Sequence, residues 1–443
     1  MHNNIKNKII DLTKNILLRN PINNSEYMQW EFDRYELWIK NNVIKKLTFT
    51  IHDNDERFKT FDMQTIEESI RKTIKEMVKD DTIFNTDDIW PHRKLNLFEC
   101  RTDLNDVNSY SKKIYNKISG KITSSVDSRL VLYPLFGIIS ESFFVDKEDI
   151  GILKKQDQDT WEKLKKDYRT SKWTPAKPDF SDAQKLKLNP DEYNVMLYAL
   201  STDTRYKANE VSELKARKLI SLIFAIIYNN KIREFRSIGN PHQYVIYFGE
   251  KHSYTINWSM QNKLLPKYSF GMSIQYKLTD NDIDNINSWY QQYHKIPDTN
   301  AYQLKNRINV CGHFINLAMN SDGASEYVNY YTALDALFGV QRNTGNSIVD
   351  GVTNLIHEDK IELRMQKLYR LRNDLVHGGI RFTQEWSGYR KYCDDFGIAP
   401  ENDIKMIAFR CFLESPKYIP QITTVKQTFL CKIVKKICRK NLI

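Results

Sequence analysis

The segment Lys367–Gly379 reads KLYRLRNDLVHGG and holds the residue types that phosphodiester chemistry needs. Histidine is the side chain suited to moving protons near neutral pH, so His377 can take or give a proton in general acid–base catalysis. Arg372 carries a permanently charged, planar guanidinium that can grip a phosphate and steady the charge that builds on it. Asn373 follows directly, and the three make the pattern R-N-x-x-x-H. Such a set can cleave RNA without a metal. The imidazole would move protons at the 2′-hydroxyl or the leaving oxygen while the guanidinium holds the phosphate.

The same residues would also suit a purely structural helix. Leu368, Leu371, Leu375 and Val376 stand at core-facing spacing. Gly378 and Gly379 form an ordinary helix stop, and His or Arg in a last turn complements the helix dipole. Spacing also constrains the chemical reading. Asn373 and His377 are four residues apart and share a helix face. Arg372 and His377 are five apart, about 140° around an ideal helix. One straight helix therefore does not converge them. Either the helix unwinds near the glycines, or two copies of the motif meet across a dimer.

The elements that must position these residues are helical. From about 279 the apolar period is that of helices over 280–294, 300–319, 324–338, 346–357, 361–377 and 401–415, with no strand between them. We expect a domain boundary near 278 and a helical bundle over 279–420. Upstream of the motif lies EYVNYYTALDALFGV (326–340), with Asp335 inside ALDAL.

RNDLVH resembles the R-x(4–6)-H motif of HEPN domains, including the polar residue that often follows the Arg. In the ApeA-like branch, a helix reading roughly aromatic…A-L-E-A-L precedes an R-N-x-x-x-H-G helix. Here ALDAL puts Asp335 at the acidic position. Spacing, order and helical context agree over 279–420, about a third of the 443 residues. The resemblance implies a bundle that forms a homodimer or larger homo-oligomer through its motif helices, with an active site built from both chains. It implies a metal-independent endoribonuclease with no cofactor, leaving a 2′,3′-cyclic phosphate or an equivalent 3′ end. Proteins similar to this act in bacterial phage defence and toxin systems, on tRNA or other cellular RNA.

Carried over by position, His377 would be the acid/base and Arg372 the phosphate ligand or an orienting residue. Asn373 would position the imidazole or the phosphate. Asp335 would buttress Arg372 or serve as a structural acid. Asp374 would support the site or pair with Arg370. Some HEPN toxins carry a Tyr two residues after the motif His, where a partner nucleotidyltransferase modifies them. This chain has Gly379 there, which argues against that control. The alternative reading is a catalytically silent HEPN module that binds nucleic acid or a partner protein.

The remaining chain is expected to form an α/β N-terminal region (1–125) and a middle α/β region (126–278), making the whole α+β and predominantly α. Their size suggests a part that senses a phage-derived trigger or restrains the nuclease. Residues 4–19 read as a helix with Ile5, Ile9, Ile10, Leu12, Ile16 and Leu17 on one stripe. Lys46–Ile51 (KLTFTI) reads as a strand and Gln64–Lys79 as a surface helix. Residues 80–125 show little pattern. Arg129–Val145 reads as buried, interrupted by Pro134, and Glu210–Asn229 as a strong helix. Within 146–190, WEKLKKDYR reads as helical and SKWTPAKPDFSD as a linker. Gln243–Gly249 and Ser269–Tyr276 read as paired strands.

Residues 421–443 form a basic tail with Lys426, Lys432, Lys435, Lys436, Arg439 and Lys440. It suits a final amphipathic helix, with nucleic-acid phosphates or a membrane surface as alternative partners. Of these anionic partners RNA is expected and a membrane is not.

The formal charge is +11, from 66 basic and 55 acidic residues, which favours an anionic partner. Hydrophobic residues make up 41%, enough for packed cores, and the 15 Gly and 12 Pro exclude low-complexity architecture. None of the six cysteines forms C-x-x-C, which argues against a zinc ribbon and fits a reducing compartment. Leu130–Ile139 and Leu219–Tyr228 are too short to span a bilayer, and the N-terminus lacks a signal-peptide core, so a cytoplasmic protein is expected. Cys311 and His313 could begin a metal site, but no second pair accompanies them, and buried structural roles are expected. His242 and His252 read as surface residues. Phosphate-loop, nucleophile-elbow and zinc-protease signatures are absent.

Overall fold

The computed structural model describes residues 1–17, 26–32, 35–40, 42–79, 107–135, 138–145, 147–154, 157, 159–160, 195–229, 245–249, 255–257, 276–296, 301–340 and 343–417. The fold is α+β and predominantly α. Two compact units share the chain: one takes 1–129 and 201–210, the other 130–200 and 211–443.

In the first unit, helices Asn3–Lys14, Val43–Asn54, Met63–Lys79 and Val107–Ser124 enclose one core. Each contributes a stripe at helical spacing, such as Ile66, Ile70, Ile74 and Met77. A small antiparallel sheet, in the order β1 (Ile16–Leu17), β3 (Tyr35–Lys40), β2 (Tyr27–Phe32), accompanies them.

Several expectations change here. The first helix ends at Lys14, where the Asn15 side-chain amide donates to the Asp11 carbonyl at 2.7 Å, and Ile16–Leu17 enter the sheet. KLTFTI is not a strand but lies within Val43–Asn54. Strand alternation would bury Leu47, Phe49 and Ile51 together. Instead Val43, Ile44, Leu47 and Ile51 are buried at helical spacing, and Phe49 is exposed. The weakly patterned 80–125 contains Val107–Ser124, whose Tyr110, Ile114, Ile118 and Ile122 recur every four residues and are buried.

The second unit contains a sheet of order β10-β9-β4-β8-β7-β6. Its strands are β4 (Val126–Leu135), β6 (Phe143–Val145), β7 (Ile150–Lys154), β8 (Val195–Thr204), β9 (Val245–Gly249) and β10 (Thr255–Asn257). β6, β7 and β8 pair antiparallel, with Phe143 opposite Ile152 and Ile150 opposite Ala199. Leu130–Tyr133 and Val195–Ala199 are buried without alternation, as in strands covered on both faces. β4 continues through Pro134 without interruption.

The expected pairing of 243–249 with 269–276 is replaced. Val245–Gly249 pairs with Thr255–Asn257, and Tyr276–Lys277 (β11) runs parallel to Ile138–Ile139 (β5). Residues 269–275 lie outside the described residues, as do the 161–169 helix, the 171–182 linker, His242, His252 and the basic tail.

After 279 come helices Asp280–His294, Ala301–Met319, Gly323–Phe338, Thr344–Leu355, Ile361–Val376, Tyr389–Phe396 and one over 400–417. Thr279 starts the first of these with a reciprocal capping box to Asp282. One continuous core runs from Leu130 through Leu219–Tyr228 to Phe412, so these helices share their core with the sheet before 278. No helix among the described residues is long and apolar enough to cross a membrane.

Candidate functional site

The motif lies on Ile361–Val376, which buries Ile361, Arg364, Met365, Leu368 and Leu371. Leu375 is half-buried and Val376 exposed, so the apolar stripe thins towards the end of the helix. The opposite face carries Leu363, Gln366, Arg370, Asp374 and His377, all exposed and three or four residues apart. Asn373 borders that face and is half-buried.

His377 is the C-cap, and its N–H donates to the Asn373 carbonyl at 2.9 Å. Gly378 follows at φ +76°, a left-handed conformation that glycine adopts without a Cβ clash. The Gly379 N–H then donates to the Asp374 carbonyl at 2.8 Å, closing a Schellman-type stop. The helix is thus regular through Val376 and does not unwind between Arg372 and His377. Of the two ways to converge those side chains, unwinding is not used. Among the described residues, the His377 imidazole makes no hydrogen bond.

Arg372 is half-buried, and its Nη1 donates to the Asn373 Oδ1 at 3.2 Å. Asp335 comes to this neighbourhood from Gly323–Phe338. Burial pushes its carboxyl above the usual range, while Arg372 and then Arg307 pull it back. Gly339 makes room for it, since a Cβ there would lie 1.9 Å from the Asp335 Oδ1. The expected pairing of Asp374 with Arg370 is absent among the described residues. An Arg four residues before an acid is the weaker orientation on a helix. Asp374 instead serves the stop through its carbonyl.

Sequence reasoning missed Arg307. Its guanidinium donates to the carbonyls of Leu337 (3.0 Å) and Gly339 (3.1 Å), where the upstream helix ends. It also missed Tyr331 and Tyr369, whose rings lie 6.0 Å apart beside Arg372. Burial, and then Tyr369, hold the Tyr331 hydroxyl well above its ordinary pKa. The run YVNYYTALDAL carried the only signal, through its aromatic spacing. Nothing local marks Arg307.

Cys311 is fully buried, and burial raises its thiol. His313 is half-buried against Phe314 and lowered by burial. Among the described residues, no three His, Cys, Asp or Glu side chains gather as metal ligands would. Lys432, Lys435, Lys436, Arg439 and Lys440 lie outside the described residues. Set against protein-family models, curated sequences and solved structures, the chain finds no match.

Proposed function

We propose that the protein is a HEPN-type, metal-independent endoribonuclease of the cytoplasm, cutting tRNA or other cellular RNA in bacterial phage defence or toxin action. The observation that carries this reading is the exposed face ending in His377, with Asn373 and Arg372 beside it and no hydrogen-bond partner for the imidazole among the described residues. His377 takes the proton from a 2′-hydroxyl as its oxygen attacks the phosphorus. Arg372 holds the non-bridging oxygens as charge builds there. The 5′-oxygen leaves with a proton from a second imidazole, giving a 2′,3′-cyclic phosphate and a 5′-hydroxyl. Because the helix stays straight, the second set of groups comes from another copy of the chain. The first unit, or the part of the second before 278, supplies control by a phage-derived trigger.

The test is cleavage of total RNA and tRNA in EDTA with mapped 3′ ends. Activity that survives EDTA and is lost in both His377→Ala and Arg372→Ala supports the reading, and activity indifferent to both sinks it. A second reading, a silent module that binds RNA or a protein, is favoured by one observation: within one chain Arg372 and His377 share no hydrogen bond. RNA binding without cleavage, at every protein concentration tried, would select it.

A further inference from the structure

A second site lies away from the motif. Asn287, Tyr290, Gln291 and His294 occupy one face of Asp280–His294, at i, i+3, i+4 and i+7. That face lines a half-open cavity of about 480 Å³, to which Phe144, Lys147 and Lys295 also contribute. The volume is in the range of small-molecule sites, about 300–1,000 Å³.

Its polar groups are incomplete. Tyr290 is only 1% exposed, yet its hydroxyl has no hydrogen-bond partner among the described residues, and a buried hydroxyl left unpaired is costly. The amides of Asn287 and Gln291 have no partner among the described residues. Lys147 and Lys295, both at the cavity and exposed, form no ion pair among the described residues. Phe144 is 54% exposed, unusual for so large an apolar ring.

The wall behind these groups is firm. Glu148 is buried and accepts from the Lys218 ammonium at 3.0 Å. Its other oxygen lies 3.6 Å from the His294 Nε2. The same ammonium sits 4.2 Å from the Tyr293 ring centroid and 5.2 Å from that of Tyr290. Glu148 is therefore committed inward, which leaves the cavity mouth to the two unpaired lysines. Lys147 itself is held at φ 63°, a left-handed conformation that a non-glycine residue adopts at a cost.

Unpaired ammoniums call for an anion. Neighbouring amides, each with donor and acceptor, call for the edge of a polar ring, and the exposed Phe144 ring calls for a planar face. We propose that this cavity binds a mononucleotide, its base against Phe144, its base edge on Asn287 and Gln291, and its phosphate on Lys147 and Lys295. The proposal does not depend on whether the motif face cleaves RNA.

The test is calorimetric titration of the full-length protein with AMP, GMP, CMP and UMP, with adenosine and inorganic phosphate alongside. At least one nucleotide should bind about tenfold or more tighter than either fragment. The double variant Lys147→Ala/Lys295→Ala, altered only at exposed residues, should lose about tenfold or more of that affinity with an unchanged melting temperature. Asn287→Ala should weaken the nucleotide and leave phosphate alone. The proposal is overturned if no nucleotide binds at millimolar concentration, or if phosphate alone binds as well. Binding that survives the double lysine variant but is lost in Arg372→Ala places the nucleotide on the motif face and also overturns it.

Discussion

Near the start of Ile361–Val376, Arg364 is buried and tied down on every side. Its Nε donates to Asp403 at 2.8 Å, its Nη2 donates to the same carboxylate, and its Nη1 donates to Glu358 at 2.9 Å. The Tyr392 hydroxyl donates to Asp403 too, and Asp403 is 0% exposed. One turn on, the Tyr327 hydroxyl donates to the Leu368 carbonyl at 2.8 Å. The last turn is the reverse. Arg372 has one side-chain hydrogen bond, to its own neighbour, and among the described residues Arg370, Asp374 and His377 face solvent without ion pairs. Thirteen residues, roughly 20 Å of helix, separate the two ends. The locked end sets the position and rotation of the helix, and the open end can then offer polar groups to a ligand.

That contrast can be broken from either side. Asp403→Ala removes two of the three hydrogen bonds of the buried Arg364 guanidinium, leaving only Glu358 to pair it, and should cost about 3–5 kcal/mol, read by chemical denaturation. His377→Ala should do the opposite, moving stability by no more than about 0.5 kcal/mol while lowering RNA cleavage about 10²–10⁴-fold. If His377→Ala destabilises as Asp403→Ala does, the open end is structural after all.

Smaller changes sharpen the comparison. Tyr327→Phe removes one buried hydrogen bond and should cost about 1 kcal/mol in the same assay. Gly378→Ala forces a Cβ into φ +76° and should also cost about 1 kcal/mol, fraying the turn that holds His377. Asp335→Asn should have the least effect. The folded-state pKa of Asp335 is raised by burial, so folding penalises its ionised form relative to the unfolded chain. The variant should melt slightly higher at pH 7. The gain should vanish as pH falls below the ordinary carboxylate range, where both side chains are neutral.

Much of the second unit was legible because helices are local. Leu368 and Leu371 and the glycine stop after His377 act within a turn or two, so spacing alone reveals them. Lys46–Ile51 misled because β-branched residues suit strands locally, while burial of Val43, Leu47 and Ile51 against a core decided otherwise. Val107–Ser124 and Tyr389–Phe396 were missed, although Tyr392 proves central to the buried network. Of the candidate site, the exposed face of the motif was readable from i,i+4 spacing. The surroundings of Arg372 were not, since Arg307 and Tyr331 arrive from other helices.

By itself the sequence determined the predominantly helical character, the end of the motif helix at His377, and the shared face of Asn373 and His377. These follow from backbone hydrogen bonds four residues apart and from glycine's access to positive φ. Tertiary structure alone decided that Arg364 meets Asp403, that Asp335 sits beside Arg372, and that helices after 279 share a core with the sheet before 278. Those pairings join residues tens to hundreds of positions apart. They form only when burial of apolar surface brings the elements together, and no local spacing records which partner each side chain will find.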